Sequence, residues 1–358
     1  MDADWNSISA QLHGSFLDRQ IRRTNRNLLL TSSFLIVCIV ASCFSERRYL
    51  YNFFAGPFDA NGPLLDSIKD PDEQLRYFMR IRGEDSSDTG LQEIEQETEN
   101  GVVNKATVKA KHSLVSVGKR LLIVKRNPND KSPVLEGAVG VLRSDLQSKI
   151  MAPFLKEYPN ASQAFIPLMV DATDFRTDGY IGLSICLAIL LFAGWLARKV
   201  VQRRAAPAKH PVVQAVSRYG SLVQTAQQFE LELRGNLTKI GKATVTQSWV
   251  LLPSAFGLKL CHIPNLIWAY KKVTKHSYNF IPTGKTYDVI MYDRGGIPLE
   301  VHARQKKIDA MLNLLAERAP WAVYGYNDQL RQTLEADWGG FIAAVDARRS
   351  SALAGKKT

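Results

Sequence analysis

Two stretches stand out from the hydrophobic and polar pattern of this chain. Residues 28–44 (LLLTSSFLIVCIVASCF) and 180–197 (YIGLSICLAILLFAGWLA) contain no Asp, Glu, Lys, Arg or His. At 1.5 Å per residue each makes a helix of about 25–27 Å, which its flanks extend toward a hydrocarbon core of about 30 Å. A buried helix of this length normally keeps a polar outer face. These offer only Ser, Thr and Cys, whose groups can bond back to the backbone, so both read as transmembrane helices. Tyr180 and Trp195 sit near the ends of the second span, and Tyr49, Tyr51, Phe53 and Phe54 follow the first, as interfacial rings do. Absence of charge at membrane depth disfavours a transporter or channel.

Before the first span, Trp5, Ile8, Leu12 and Phe16 recur at helical spacing. This stripe covers either the inner leaflet or the protein itself. Arg19, Arg22, Arg23 and Arg26 follow it. Arg198, Lys199, Arg203, Arg204 and Lys209 follow the second span. The positive-inside rule then places both termini in the cytoplasm, at a plasma (inner) membrane, and residues 45–178 outside it. Val40–Cys43 also matches a lipoprotein cleavage box. However, 27 residues precede the apolar run, far more than a signal peptide normally carries there.

Residues 45–178 read as a small β-rich α+β domain. The predicted strands lie within 106–126 and 134–142, with a turn at Asn127–Asp130. Asp70-Pro71 signals a helix start, although the residues from Arg76 to Arg82 alternate as a strand does. Glu93, Glu95, Glu97 and Glu99 lack the glycine and ligand pattern of a calcium loop and read as a solvated edge. Ser144 and Gln147 form a capping-box pattern for a helix through about Glu157. Asn160-Ala161-Ser162 is a glycosylation sequon, meaningful only in a eukaryotic secretory compartment. His112, alone among strand residues, reads as structural.

The remainder divides into a basic linker with helices (198–234), a cytoplasmic antiparallel-sheet domain with C-terminal helices (235–350) and a tail (351–358). A helical period over 211–234 is broken at Gly220, with Ser221 and Gln224 as a second capping box. Strands are predicted near 242–252, 255–262, 265–274, 286–292 and 297–302. Ile308, Met311, Leu312 and Leu315 mark an amphipathic helix ended by Pro320. Leu330, Leu334, Phe341 and Val345 mark another over about 328–348, bent at Gly339-Gly340. Strands sealed by one helix suggest a pleckstrin-homology-like fold, an analogy that fixes no function.

Charge sharpens the picture. Of a net +12, residues 198–358 hold 24 Lys/Arg against 11 Asp/Glu, whereas 45–178 are slightly acidic. The lipid-headgroup candidates are Arg22, Arg23, Arg26, Arg198, Lys199, Arg203, Arg204, Lys271, Lys272 and Lys275. Lys285 and His276 flank the same predicted hairpin. No RNA-binding signature accompanies them, so no nucleic acid is expected. Gly284-Lys285-Thr286 matches the end of a phosphate-binding loop, but Asn279 stands where the first glycine belongs and strand-forming residues follow. Ile281–Gly284 instead suits a type I turn, and no nucleotide is expected. Cys261 and His262 are strand neighbours pointing to opposite faces, so they form no catalytic pair. The four cysteines show no CxxC spacing, and no metal, cofactor or catalytic constellation is legible.

The blocks HPVVQAVSRYG, LIWAYKKVTKHSYNFIPTGKTYDVIMYDRGG and ERAPWAVYGYNDQL, behind RLLIVK and the second span, resemble an uncharacterised bacterial family of two-pass membrane proteins. That resemblance implies architecture and membrane residence, and no activity. The expectation is a non-enzymatic binding or scaffolding module with protein partners or self-association. The alternatives are an anionic-lipid sensor acting through the basic domain and a membrane-tethered enzyme with an unrecognised outer site.

Overall fold

The computed structural model describes residues 5–99, 102–278 and 281–354. It contains two compact units, residues 34–192 and residues 1–33 together with 193–358. The chain opens with α1 (Trp5–Leu12) and α2 (Phe16–Ser45), separated at Gly14, whose φ of +73° suits a residue without Cβ. The amphipathic stripe is docked on protein. Leu12 and Leu17 are buried with Val212, Phe229, Trp249 and Leu251, and Ile8 and Phe16 pack beside them. The Trp5 side chain lies outside the described residues.

Unit 34–192 continues through α3 (Arg47–Ala55), β1 (Phe58–Ala60), α4 (Gly62–Ser67), β2 (Phe78–Arg82), β3 (Ser86–Glu99), β4 (Val102–Val117), β5 (Arg120–Arg126), β6 (Val134–Val141), α5 (Ser144–Leu146), α6 (Ala152–Glu157) and β7 (Phe165–Ala172) to α7 (Thr177–Ala205). The strands form one mixed sheet in the order β1-β2-β6-β7-β5-β4-β3. Alternation along each strand supplies two cores. Ile81, Leu122, Leu135, Ile166 and Val170 face Leu65 of α4. Ile123 meets Leu146 and Ile150 on the other side. The glutamates lie on edge strand β3, where Glu95 pairs with Lys109 at 2.7 Å and Glu93 with Lys125 at 2.6 Å. His112 is buried, and burial lowers its pKa, as suits a structural histidine.

One helix signal here starts no helix, and another misplaces its cap by one residue. Asp70–Gln74 forms turns. Arg48 takes the carbonyls of Pro71 and Gln74, and Asn52 takes that of Leu75, acceptors that a helix would need for itself. Ser144 is the first helical residue and not the cap, which is Arg143 without a side-chain bond. The helix does reach Glu157, through a π-helical turn at Gln147–Met151. The Asn160 and Ser162 side chains of the sequon lie outside the described residues.

In the other unit, α8 (Pro211–Ser217) and α9 (Leu222–Arg234) are separated around Gly220. Ser221 occupies the cap position of α9 but makes no capping bond. Then come β8 (Thr238–Ile240), β9 (Ala243–Val245), β10 (Trp249–Pro253), β11 (Leu258–His262), β12 (Leu266–Tyr278), β13 (Ile281–Asp293), β14 (Leu299–His302), α10 (Gln305–Arg318), β15 (Val323–Tyr324), α11 (Asp328–Ala336) and α12 (Trp338–Ala354). They build two four-stranded sheets, β11-β10-β9-β8 and β14-β13-β12-β15. Ile308, Met311 and Leu315 of α10 enter a core with Val250, Cys261, Val289, Met291 and Val301. Trp268 points to the opposite face, under Leu334, Phe341 and Val345. The break between the last two helices falls at Asp337, not at the glycine pair, because its carboxylate accepts the Gly340 N–H at 2.8 Å and caps α12.

Candidate functional site

The apolar windows of α2 and α7 are long enough to cross a membrane and only 17% and 11% buried. Phe34, Val37 and Val40 of α2, and Ile185, Leu187 and Leu191 of α7, point into open surroundings. In a water-soluble bundle such side chains face a core. Nearer the polar ends, Leu28, Ala193, Leu196 and Val200 are buried, and the Ser32 hydroxyl donates to the Ala193 carbonyl at 3.0 Å.

Where α7 leaves its uncharged run, positive groups converge. The Lys199 ammonium lies 3.8 Å from the Trp195 ring centroid. Lys199, Gln202, Arg203, Lys209 and Pro211 line a cavity of about 510 Å³. Among the described residues, no carboxylate pairs with these three cations. Nη1 of Arg203 is buried without a hydrogen-bond partner among the described residues. His210 closes the linker. Its Nδ1 accepts the Val212 N–H and caps α8, and its Nε2 lies 3.2 Å from the Thr24 hydroxyl. Burial, aided by the Arg203 charge, pulls its pKa down to about 4, so the ring is neutral near pH 7.

The ten headgroup candidates separate into distinct settings. Arg22 pairs with Asp18 at 2.9 Å, whereas Arg23, Arg26, Arg198 and Arg204 are exposed. On β12, Lys271 faces the helix side and pairs with Asp309 at 2.7 Å. Lys272, on the other side, lies 3.4 Å from Glu300. Lys275 is exposed and registers opposite Lys285 of β13, a like-charge pair at the outer part of the hairpin. The predicted hairpin forms, but Gly284-Lys285-Thr286 lies within β13 and not at its bend. The register jumps from His276↔Gly284 to Ser277↔Pro282, which leaves Thr283 as the bulged residue. The strand then runs on to Asp293, so no helix N-terminus follows the tripeptide. Asn279 lies outside the described residues.

Polar groups buried in the two-sheet unit are spent on backbone. Asp293 accepts the Tyr219 hydroxyl at 2.5 Å and the N–H groups of His262 and Gly295. Burial and the Asp293 charge push the Tyr219 pKa far up. Burial would raise the Glu232 pKa, but the Thr246 hydroxyl and Ser248 N–H outweigh it and hold it low. Cys261 is buried in the sheet core while the His262 ring lies tilted against Trp249, on opposite faces as expected. Among the described residues, no three His, Cys, Asp or Glu side chains converge as a metal site. The half-buried Tyr219–Asp293 pair is not legible in the sequence, since 74 residues separate its members.

Residues 211–334 match the model of a domain of unknown function, DUF6709. The match begins at the first residue of α8 and ends in α11, so it takes in both four-stranded sheets and neither apolar helix. No curated protein and no solved structure matches the chain.

Proposed function

We propose that this chain is a two-pass integral membrane protein acting as a non-enzymatic binding or scaffolding module. Both termini lie in the cytoplasm and residues 45–178 on the other side. One observation carries it: the long uncharged helices α2 and α7 turn Phe34, Val37, Leu187 and Leu191 outward, where hydrocarbon suits them better than water. The charge surplus of residues 198–358 supports the orientation. A binding role, in place of catalysis, is supported by the way buried Asp293 and His210 and half-buried Glu232 each hold backbone groups. Two sheets with α10 packed on their core are consistent with a pleckstrin-homology-like module.

The test is alkaline carbonate extraction of native membranes, joined to protease added outside intact cells. The expected outcome is retention in the pellet, cleavage within 45–178 and a protected C-terminal third. Release by carbonate, or outside trimming of residues 198–358, overturns the proposal.

A further inference from the structure

The cavity at the end of α7 has a depth, a charge and a gap in its hydrogen bonding that point to one ligand class. The uncharged run ends at Ala197. Lys199 lies about 3 Å beyond it and Arg203 about 9 Å, at 1.5 Å per residue. The headgroup layer is about 5–7 Å thick on each side of the hydrocarbon, so Lys199 originates within it and Arg203 just past its outer edge. Trp195 marks the hydrocarbon boundary, and its ring holds the Lys199 ammonium at that level. Lys209 closes the cavity from the turn after α7.

The lining contains no acidic side chain. Two other cavities of this unit, beside β14, both include Glu300. Arg203 lines the cavity, and its Nη1 is buried without an acceptor among the described residues, so its charge is only partly solvated and favours an anion at that wall. The neighbouring His210 is tied to Val212 and Thr24 and is not available as that acceptor. The volume of about 510 Å³ lies within the range of small-molecule sites.

We propose that this cavity binds the phosphate of an anionic membrane lipid, with Lys199, Arg203 and Lys209 as its cationic contacts. The proposal rests on reading α7 as a membrane span. It replaces a diffuse basic surface with a single headgroup site, and it leaves Lys271 and Lys272 to their ion pairs with Asp309 and Glu300.

The experiment uses the full chain in neutral detergent. Phosphatidylglycerol, phosphatidylcholine and inorganic phosphate are each titrated, and bound lipid is read by native mass spectrometry and by the thermal midpoint. One phosphatidylglycerol per chain is expected, in preference to phosphatidylcholine. The combined K199Q, R203Q and K209Q variant should bind it roughly a hundredfold more weakly. The combined K271Q, K272Q and K275Q variant should bind as the parent does. Should the first variant not fold, R203Q alone is expected to weaken binding about fivefold. Undiminished binding by the folded cavity variant overturns the site. Inorganic phosphate stabilising the protein as much as the lipid, at equal concentration, overturns the lipid assignment in favour of a free anion. Carbonate extraction separates the two levels: released protein defeats the membrane span itself, whereas retained protein with unaltered lipid binding defeats the cavity alone.

Discussion

Thr24 and His210 are separated by 186 residues in sequence and meet as a buried pair, hydroxyl to Nε2 at 3.2 Å. The surrounding bonds fix the direction of each proton. Nδ1 accepts the Val212 N–H, so Nε2 carries the ring hydrogen and donates to Thr24, whose own hydroxyl donates to the Ile21 carbonyl. Protonating Nδ1 would break the cap of α8.

A pH dependence follows. The folded pKa of about 4 lies below the ordinary 6.5, so the stabilising contribution is complete above pH 6.5 and is lost as pH falls toward 4. Its size is on the order of 3 kcal/mol. Thermal melts at pH 7.5 and 4.5 should show this loss in the parent. In His210→Asn, whose amide oxygen can still cap α8, the difference should shrink. An unchanged difference would remove His210 from the account.

Asn52 joins helix to sheet in the other unit. Its amide donates to the Arg48 and Leu75 carbonyls and its oxygen accepts the Tyr77 and Phe78 N–H groups. Asn52→Leu is close in volume but leaves buried backbone groups unpaired, at a cost of about 3 kcal/mol. Hydrogen exchange should quicken at residues 77 and 78. Parent-like protection there would contradict this role.

Gly137 and Gly140 both lie on β6 and differ in surroundings. A Cβ at Gly137 would collide with the Asp171 carbonyl on neighbouring β7, whereas one at Gly140 meets nothing within 4 Å. Gly137→Ala is expected to destabilise the sheet by about 1–3 kcal/mol, and Gly140→Ala to leave it near the parent, by chemical denaturation.

Trp268 is fully buried and donates from Nε1 to the Gly325 carbonyl at 2.8 Å. Trp268→Ala should cost about 3–5 kcal/mol and loosen α11 and α12, which pack over it. Limited proteolysis should then cut first between Asn327 and Ala354.

Legibility followed locality. The α10 helix was written in the spacing of Ile308, Met311 and Leu315, and the β12–β13 hairpin in the apolar residues on both sides of its bend. Strand β7 was overlooked, although Phe165–Val170 is apolar, because Pro167 interrupts the run. In the sheet, pairing to β6 begins only at Leu168, and the β5 register skips from Phe165 to Met169, so the proline occupies a gap in the ladder. Helix α3 was overlooked for another reason. Its aromatics read as membrane-interface rings, yet Tyr49 bonds the Phe175 carbonyl and Phe53 is buried beside Tyr180. For the cavity, the cations were legible as a charge run. That Nη1 of Arg203 has no acceptor among the described residues while Lys271 and Lys272 have partners depends on contacts from distant segments.

The docking of Leu12 and Leu17 against Val212, Phe229 and Trp249 sets an order for biosynthesis. A ribosome makes Leu12 some 200 residues before Val212, which at 5–20 residues per second is a wait of about 10–40 s. Throughout that interval the amphipathic first helix has Phe16, Leu17 and Ile21 beside it but none of its partners from residues 212–260, and whatever shields it then must yield when those residues emerge.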